Sequence, residues 1–418
     1  MIRRLYTLLL YLLLPLVLLR LLWRSVKAPD YRRRWAERFG IFAPPADWGG
    51  LWVHAVSVGE VQAILPLIRQ VLAQNPALPI TVTTTTPTGS ARVREQLDDQ
   101  VFHVYLPYDL PPALTGFIRR VRPRALLMVE TEIWPNLLYL CRRHGIYTLL
   151  ANARLSEKSA RRYARLGRFT RQTFVGIDHI AAQAEADAAR FRELGVPAER
   201  VSVTGSIKFD MRIPASLEER VEVLRRDWGG RPVWVAGSTH EGEDELVLFA
   251  HHQVLERFPE ALLILVPRHP ERFERVGGLC KRERLRMARR SRSSEYDGTT
   301  QVYLGDTMGE LPVMLGSADV AFIGGSLVPT GGHNMLEAAA QGVAVCFGPH
   351  VFNFATISRM LIEEGAAVQV ESESALAGQV VAWFENASAR AEMGENGRRV
   401  VAQNRGALQR LIDLMPLR

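Results

Sequence analysis

Two glutamates stand where apolar runs of this chain end. Glu60, in "HAVSVGEVQAI", follows the run Leu51-Trp52-Val53 and opens an amphipathic stretch; Glu130, in "MVETEIWPNLL", closes another run. A carboxylate between a buried strand and a helix has two uses. The helix dipole and free N–H groups stabilise it as a cap, or it faces a ligand cleft and takes a hydroxyl proton as a general base. Ser57 is the expected cap, which would leave Glu60 for the cleft, and both uses stay open. Glu130 and Glu132 are spaced like the acidic metal pair of some transferases. Only Glu130 is expected to enter the cleft, with Glu132 structural. Lys208, in "TGSIKFD", offers a cation to an anionic donor, although a plain surface lysine explains it equally well.

The second half of the chain carries signals for a nucleotide. "AGSTHEGED" runs from strand into helix through small residues, which lets phosphate approach backbone N–H groups. "VPRHPER" places Arg268 and His269 at a strand end, where the planar arginine fork suits phosphate or a base edge. "GDTMGELP" presents Met308, Gly309 and Glu310 before a short helix. "FIGGSLVPTGGHNMLEAAAQG" leads two glycine pairs into a helix beginning near Asn334, with Glu337 one turn on and able to accept bonds from a ribose. Tight turns account for any one glycine-rich loop, so the order of the four segments on one half is the stronger signal. Neither GxxxxGK[ST] nor a strand-borne GxGxxG occurs, which excludes a Walker loop and a Rossmann dinucleotide fingerprint.

These residues need two α/β halves to position them. "LWVHAV", "PITVTT", "VFHVYL", "RALLMVE", "IYTLLAN" and "HIAAQ" read as strands, with helices over 61–74, 88–97, 113–121, 134–144 and 185–194. The rhythm restarts with "PVWVAGS", "ALLILVP", "QVYLGD", "DVAFIGGS" and "GVAVCFG", and helices over 241–258, 270–283, 311–316, 334–341 and 374–386. Strand–helix alternation implies mostly parallel sheets covered on both faces. Two halves facing each other would put a ligand cleft at the carboxyl ends of the strands. A linker is expected over 208–215, a solvated loop over 289–300, and a final helical stretch over 387–414.

At 418 residues, two domains are the first expectation, and 47% apolar content supports packed cores. The net charge of +8 points weakly to an anionic partner. It is not gathered into a basic, aromatic-rich module, so nucleic-acid binding is not expected. No repeat of solenoid or propeller period occurs. Cys141, Cys280 and Cys346 form no CxxC pair and read as reduced thiols rather than a zinc site. The start, "MIRRLYTLLLYLLLPLVLLRLLWR", resembles a signal peptide without a small-residue cleavage site, so an uncleaved anchor is expected, spanning or monotopic. The arginines after it argue for a cytoplasmic body.

"HAVSVGEV", "VETEIWPNLL", "NARLSEKS", "GSIKFD", "AGSTHEGEDE", "VPRHPERF" and "PTGGHNMLEAAAQG" together resemble the 3-deoxy-D-manno-octulosonic acid (Kdo) transferase family, in order from the N-terminal segment to about Asn353. The resemblance implies a GT-B fold: an anchor over 1–28, an acceptor-binding Rossmann-like domain over 29–210, a nucleotide-sugar-binding one over 211–386, and a C-terminal helix over 387–418 packing back across both. It implies transfer of Kdo from the donor CMP-Kdo to a lipid A precursor at the cytoplasmic face of the inner membrane, where anionic lipids are the expected neighbours. No cofactor is expected, and because CMP carries a single phosphate no metal is assigned, with metal dependence left open. It makes Glu60 the proton acceptor, with Glu130 and Lys208 stabilising the transition state. CMP contacts would come from Arg268, His269, Met308, Gly309, Glu310, Asn334, Met335, Leu336 and Glu337. Another GT-B enzyme using a UDP-sugar, and a membrane-attached nucleotide-binding protein without turnover, remain the alternatives.

Overall fold

The computed structural model describes residues 2–211, 213, 215–292 and 296–416. Two parallel sheets organise the chain. The first holds β1 (Leu51–His54), β2 (Ile80–Thr84), β3 (Phe102–Tyr105), β4 (Ala125–Val129), β5 (Tyr147–Ala153), β6 (His179–Ala182) and β7 (Val201–Val203), in the order β3-β2-β1-β4-β5-β6-β7. The second holds β8 (Val233–Thr239), β9 (Leu262–Pro267), β10 (Met287–Arg289), β11 (Val302–Leu304), β12 (Val320–Ile323), β13 (Ala344–Phe347) and β14 (Ala367–Gln369), in the order β10-β11-β9-β8-β12-β13-β14. Central strands such as β1, β4, β8 and β12 are buried at every position because helices cover both faces. Alternation then divides each strand between two cores: Trp52, Leu126 and Met128 point to one side of the first sheet, and Leu51, Val53 and Leu127 to the other.

Each sheet anchors one compact unit. The first runs to Asp210 and takes in the segment from Arg405; the second runs from Met211 to Asn404. The expected C-terminal helix is in fact two, Ala387–Gln403 in the second unit and Ala407–Asp413 in the first. The break falls at Gly406, whose φ of 94° only glycine adopts freely. The Asp210 carboxylate accepts the N–H groups of Gly406 and Leu408, and Leu408 and Leu411 enter a core of the first unit. Residues 417–418 of the expected helix, and Arg212 and Pro214 of the expected linker, lie outside the described residues.

Three strands escaped the sequence reading: β7, β10 and β14. Each has three residues and edges a sheet, so it is too short and too exposed to show a period. β10 takes the first residue of the expected loop over 289–300, and Arg289 is 88% buried there in ion pairs to Glu274 and Asp306. Residues 293–295 of that loop lie outside the described residues. Helices Glu157–Arg165, Arg168–Phe174, Ala215–Asp227 and Ala355–Glu363 were also not anticipated.

The N-terminal helix, Ile2–Lys27, carries the expected apolar run through Pro15. It is long and apolar enough to cross a membrane, and nearly all of that apolar surface is exposed.

Candidate functional site

In each sheet the strand order reverses its sense at one place, between β1 and β4 in the first and between β8 and β12 in the second. Two adjacent connections then leave on opposite faces, and a crevice opens beyond the carboxyl ends of the strands. Glu60 and Glu130 follow the two strands at the first of these places, and the loop that leads to Asn334 and Glu337 follows β12 at the second; Lys208, Arg268, His269 and the segment 308–310 follow other strands of the same sheets.

In the first unit, the chain leaves β1 and enters helix Val58–Gln74 with Ser57 as its cap. The Ser57 hydroxyl accepts the Glu60 N–H and donates to one Glu60 carboxylate oxygen at 3.0 Å, while the Val56 N–H donates to the other at 2.7 Å. This is a form of capping box in which both carboxylate oxygens are bonded, one by the residue before the cap, and it preorganises the side chain. Capping and facing a ligand were set against each other from sequence; here one side chain holds the turn and stays half-buried at the strand end. Burial pushes its pKa above the ordinary carboxylate range, the charge of Glu130 adds to that, and the two donors oppose it.

After β4, Glu130 turns the chain with a left-handed φ of 61°, unusual for a glutamate, and its N–H bonds Ala151. Such strain persists where the surroundings impose it, and it clusters at functional sites. Glu132 is not set apart from this group, contrary to expectation. Residues two apart on a strand share a face, and the strand has already ended at Val129, so alternation does not separate the two acids. The Glu132 carboxylate accepts the Trp134 indole N–H at 3.1 Å. Burial first, then the charges of Glu60 and Glu130, push its pKa up to about 7.

Lys208 lies in a short 3-10 turn, Ile207–Phe209, rather than a loose linker. Asn152, itself left-handed at φ 54° in β5, fixes that turn by accepting the Ile207 N–H. Burial lowers the Lys208 pKa, Glu130 and Glu60 raise it, and Arg154 lowers it. Glu60, Glu130 and Lys208 are therefore electrostatic neighbours, with Glu132 and Arg154 beside them.

The Glu132 shift has a measurable consequence. Its folded-state pKa of about 7 lies above the ordinary value of 4.5, so its contribution to stability is full below 4.5 and is lost as pH rises through 7. Glu132→Gln removes this titration. We expect the variant to gain stability over wild type by roughly 1–3 kcal/mol at pH 8 and to lose that gain near pH 4.5, read by urea unfolding at both pH values. A difference independent of pH would show that this carboxyl is not raised.

In the second unit, β8 ends through Ser238, left-handed at φ 60°, and Thr239 into His240. Glu243, fully buried, accepts four backbone N–H groups: His240 at 3.1 Å, Gly325 at 2.6 Å, Ser326 at 3.0 Å and Leu327 at 2.9 Å. One carboxylate thereby ties the turn after β8 to the turn after β12. Gly324 has no room for a side chain, since a Cβ would stand 2.8 Å from the Ser238 carbonyl oxygen, and Gly325 is left-handed at φ 69°.

Around this knot stand three imidazoles. His240 and His333 stack with ring centroids 5.0 Å apart and share an Nε2 to Nε2 hydrogen bond of 2.7 Å; His269 meets His240 edge-on at 5.4 Å. A single hydrogen bond between two ring nitrogens needs one donor and one acceptor, so at least one ring is neutral. Burial first, then His240 and Arg268, lower His333 to about 4, and burial, His269, Arg272 and Arg268 lower His240. A phosphate among these groups would favour their protonated forms. Arg268 and His269 sit at the end of β9 as expected. Glu337 is raised by burial and lowered by the Asn334 amide, which donates to it at 3.1 Å, and by Arg268.

Three expected contacts change character. The side chains of Met335 and Leu336 are fully buried core, and the Leu336 N–H is taken by the Asn334 side chain, so neither side chain faces a ligand. Glu310 is engaged by a two-pronged bond from Arg290, by Arg220 and by Thr307, with Arg290 the largest cause of a pKa lowered to about 2. It organises its own loop, leaving exposed Met308 and Gly309, at φ 82°, on the outside. Glu243, His240 and His333 were missed although they lie inside the quoted segments. The signal was an acid and a histidine between small residues; their common partner is the second loop, more than 80 residues away.

A family model described as 3-Deoxy-D-manno-octulosonic-acid transferase (kdotransferase) matches residues 33–211. The 3-deoxy-D-manno-octulosonic acid transferase of Haemophilus influenzae is 45% identical, over 98% of this chain and 97% of its own. That of Bordetella pertussis is 37% identical, over 99% and 98%. The crystal structure of UDP-GlcNAc 2-epimerase from Neisseria meningitidis, bound to UDP-GlcNAc, covers 87% of this chain and 98% of its own with a TM-score of 0.57 at 15% identity. The likeness is one of fold: both chains have the two-sheet GT-B architecture.

Proposed function

Since the chain belongs to the 3-deoxy-D-manno-octulosonic acid transferase family, and so is a glycosyltransferase of lipopolysaccharide biosynthesis, we propose that it transfers Kdo from CMP-Kdo to a hydroxyl of a lipid A precursor with inversion. The observation that carries this reading is the Glu60 carboxylate, fixed by its capping box and made more basic than an ordinary glutamate by burial and Glu130. Glu60 takes the acceptor proton. The freed oxygen attacks the anomeric carbon of Kdo, the bond from that carbon to the phosphate oxygen breaks, and its electron pair leaves on CMP. The sugar passes through an oxocarbenium-like state, and preorganised charges there carry much of the acceleration. We assign those charges to Glu130 and Lys208.

CMP contacts are assigned to Arg268, His269, the Met308–Gly309 turn, and Asn334 and Glu337, with Glu310, Met335 and Leu336 acting through the backbone they hold. A single leaving phosphate carries less charge than a diphosphate, so lysine, arginine and backbone dipoles suffice in this mechanism without a metal cofactor. The N-terminal helix and neighbouring arginines would hold the enzyme to anionic lipid on the cytoplasmic face of the inner membrane. Incubation of the full chain with CMP-Kdo and a tetraacylated lipid A precursor should give a product heavier by Kdo in mass analysis. CMP should compete for the donor site better than UDP. UDP preference would indicate a UDP-sugar enzyme instead, and nucleotide binding without transfer would indicate a binding protein; either result overturns the proposal.

A further inference from the structure

The membrane-attachment reading leaves open whether helix Ile2–Lys27 crosses the bilayer or lies in it. With 26 residues the helix is about 39 Å long, enough for either. Its contacts are more specific than its length. Near the start, Arg3 donates to the Asn136 side chain at 2.8 Å and stacks its guanidinium over Tyr139, Thr7 also bonds Asn136, and Tyr6 donates to Asp109 at 2.9 Å. Near the end, Ser25 is buried at 1% exposure and accepts from Arg32 at 3.0 Å. The first turns are held by residues more than 100 positions away and the last turn by the segment that follows it, all within one compact unit.

The middle agrees. Arg3, Thr7, Leu10, Leu14 and Leu18 are partly shielded and Leu21 and Ser25 are buried, while the other residues from 2 to 26, Tyr6 apart, are exposed. Steps of three and four residues mark one face of a helix, so this stripe is the side turned toward the body, which the helix touches through Arg3, Tyr6 and Thr7. The opposite face carries the most exposed apolar side chains: Leu5, Leu12, Leu16, Leu19, Trp23 and Val26, each 60–70% exposed. Arg4, Arg20 and Arg24 are exposed on the helix as well. A helix crossing the bilayer would carry Arg3 across about 30 Å of hydrocarbon from its other end, away from Asn136 and Asp109.

Building on the membrane reading, we propose that this helix lies parallel to the membrane plane, its outer face sunk sideways into one leaflet and its arginines among anionic headgroups. Asn136, where its first turns dock, follows Trp134 by two residues, and the Trp134 indole bonds Glu132. The in-plane arrangement therefore holds the acid-bearing strand ends beside the leaflet, so an acylated acceptor reaches them without leaving it.

The three native cysteines are buried, so a cysteine introduced at an exposed helix position reports its own side of the membrane. The full chain carrying Arg4→Cys or Arg24→Cys is to be expressed in a Gram-negative host and treated with a membrane-impermeant maleimide, in inside-out vesicles and in spheroplasts. Both variants should label only in inside-out vesicles and sediment with the membrane. If Arg4→Cys labels only in spheroplasts while Arg24→Cys labels only in inside-out vesicles, the helix spans: the in-plane arrangement is wrong and membrane attachment stands. If Arg4→Cys labels from neither side yet reacts in detergent, it lies in hydrocarbon, which also overturns the proposal. Recovery of both variants in the soluble fraction would overturn the membrane reading with it.

Discussion

Glu60→Gln should lower kcat about 1,000-fold or more, near the upper end of what a general base contributes, while the protein keeps its stability within about 0.5 kcal/mol. The separation of the two effects follows from the capping box. Glutamine still offers an oxygen to the Val56 N–H or the Ser57 hydroxyl, so the turn keeps a partner, but the base is gone. CMP affinity should not change, because the groups proposed to hold the nucleotide belong to the other sheet. The pH profile adds a second readout. In wild type the carboxylate must be ionised to act, so kcat/KM falls as pH drops through a value raised above the ordinary carboxylate range. Glu60's charge also raises Glu132, so the two titrations are coupled, and in whatever activity the variant keeps the limb should lose its Glu60 component and move to lower pH. Wild-type turnover in a folded Glu60→Gln protein would sink the assignment.

Glu243→Ala should be the most damaging substitution in the second unit. It removes the acceptor of four backbone N–H groups in a place without solvent. Buried donors left unpaired cost about 1–3 kcal/mol each, partly relieved by relaxation or by entering water, so a loss of roughly 3–5 kcal/mol is expected. Donor binding should weaken at least tenfold, because the turns after β8 and β12 would no longer hold their common geometry. Glu243→Gln retains one acceptor oxygen but places an amide against N–H donors, and should fall between the two. Calorimetry and CMP titration on both variants check this. Unchanged CMP affinity in a destabilised but folded Glu243→Ala would reduce the residue to a structural one.

What was legible in advance had a local cause. Strand runs such as "LWVHAV" and "ALLILVP" are apolar throughout because parallel strands are covered on both faces, and that follows from consecutive residues alone. The acids after β1 and β4 and the Arg-His pair after β9 could be found for the same reason: a polar residue closing an apolar run marks a strand end. The three-residue edge strands were invisible because a pairing that short is specified by its neighbour. That the side chains of Met335 and Leu336 are core could not be read from the motif, because a motif presents residues in a row while a helix turns some of them inward.

The amino-acid sequence by itself determined the strand–helix rhythm, the two α/β halves, the apolar helix at the start and which strand ends carry charge, since all of these rest on periodicity and composition within about 20 residues. Tertiary structure alone decided that Glu60 caps its helix and stays half-buried beside Glu130, that Glu132 joins the acid group, that Glu243 knots two loops, and that the first turns of the N-terminal helix dock on Asn136 and Asp109. Those outcomes depend on burial and on partners distant along the chain, 82 residues for Glu243 and Gly325 and 133 for Arg3 and Asn136. A carboxylate's basicity is set by the dielectric and charges that such partners create, and no spacing in the sequence records them.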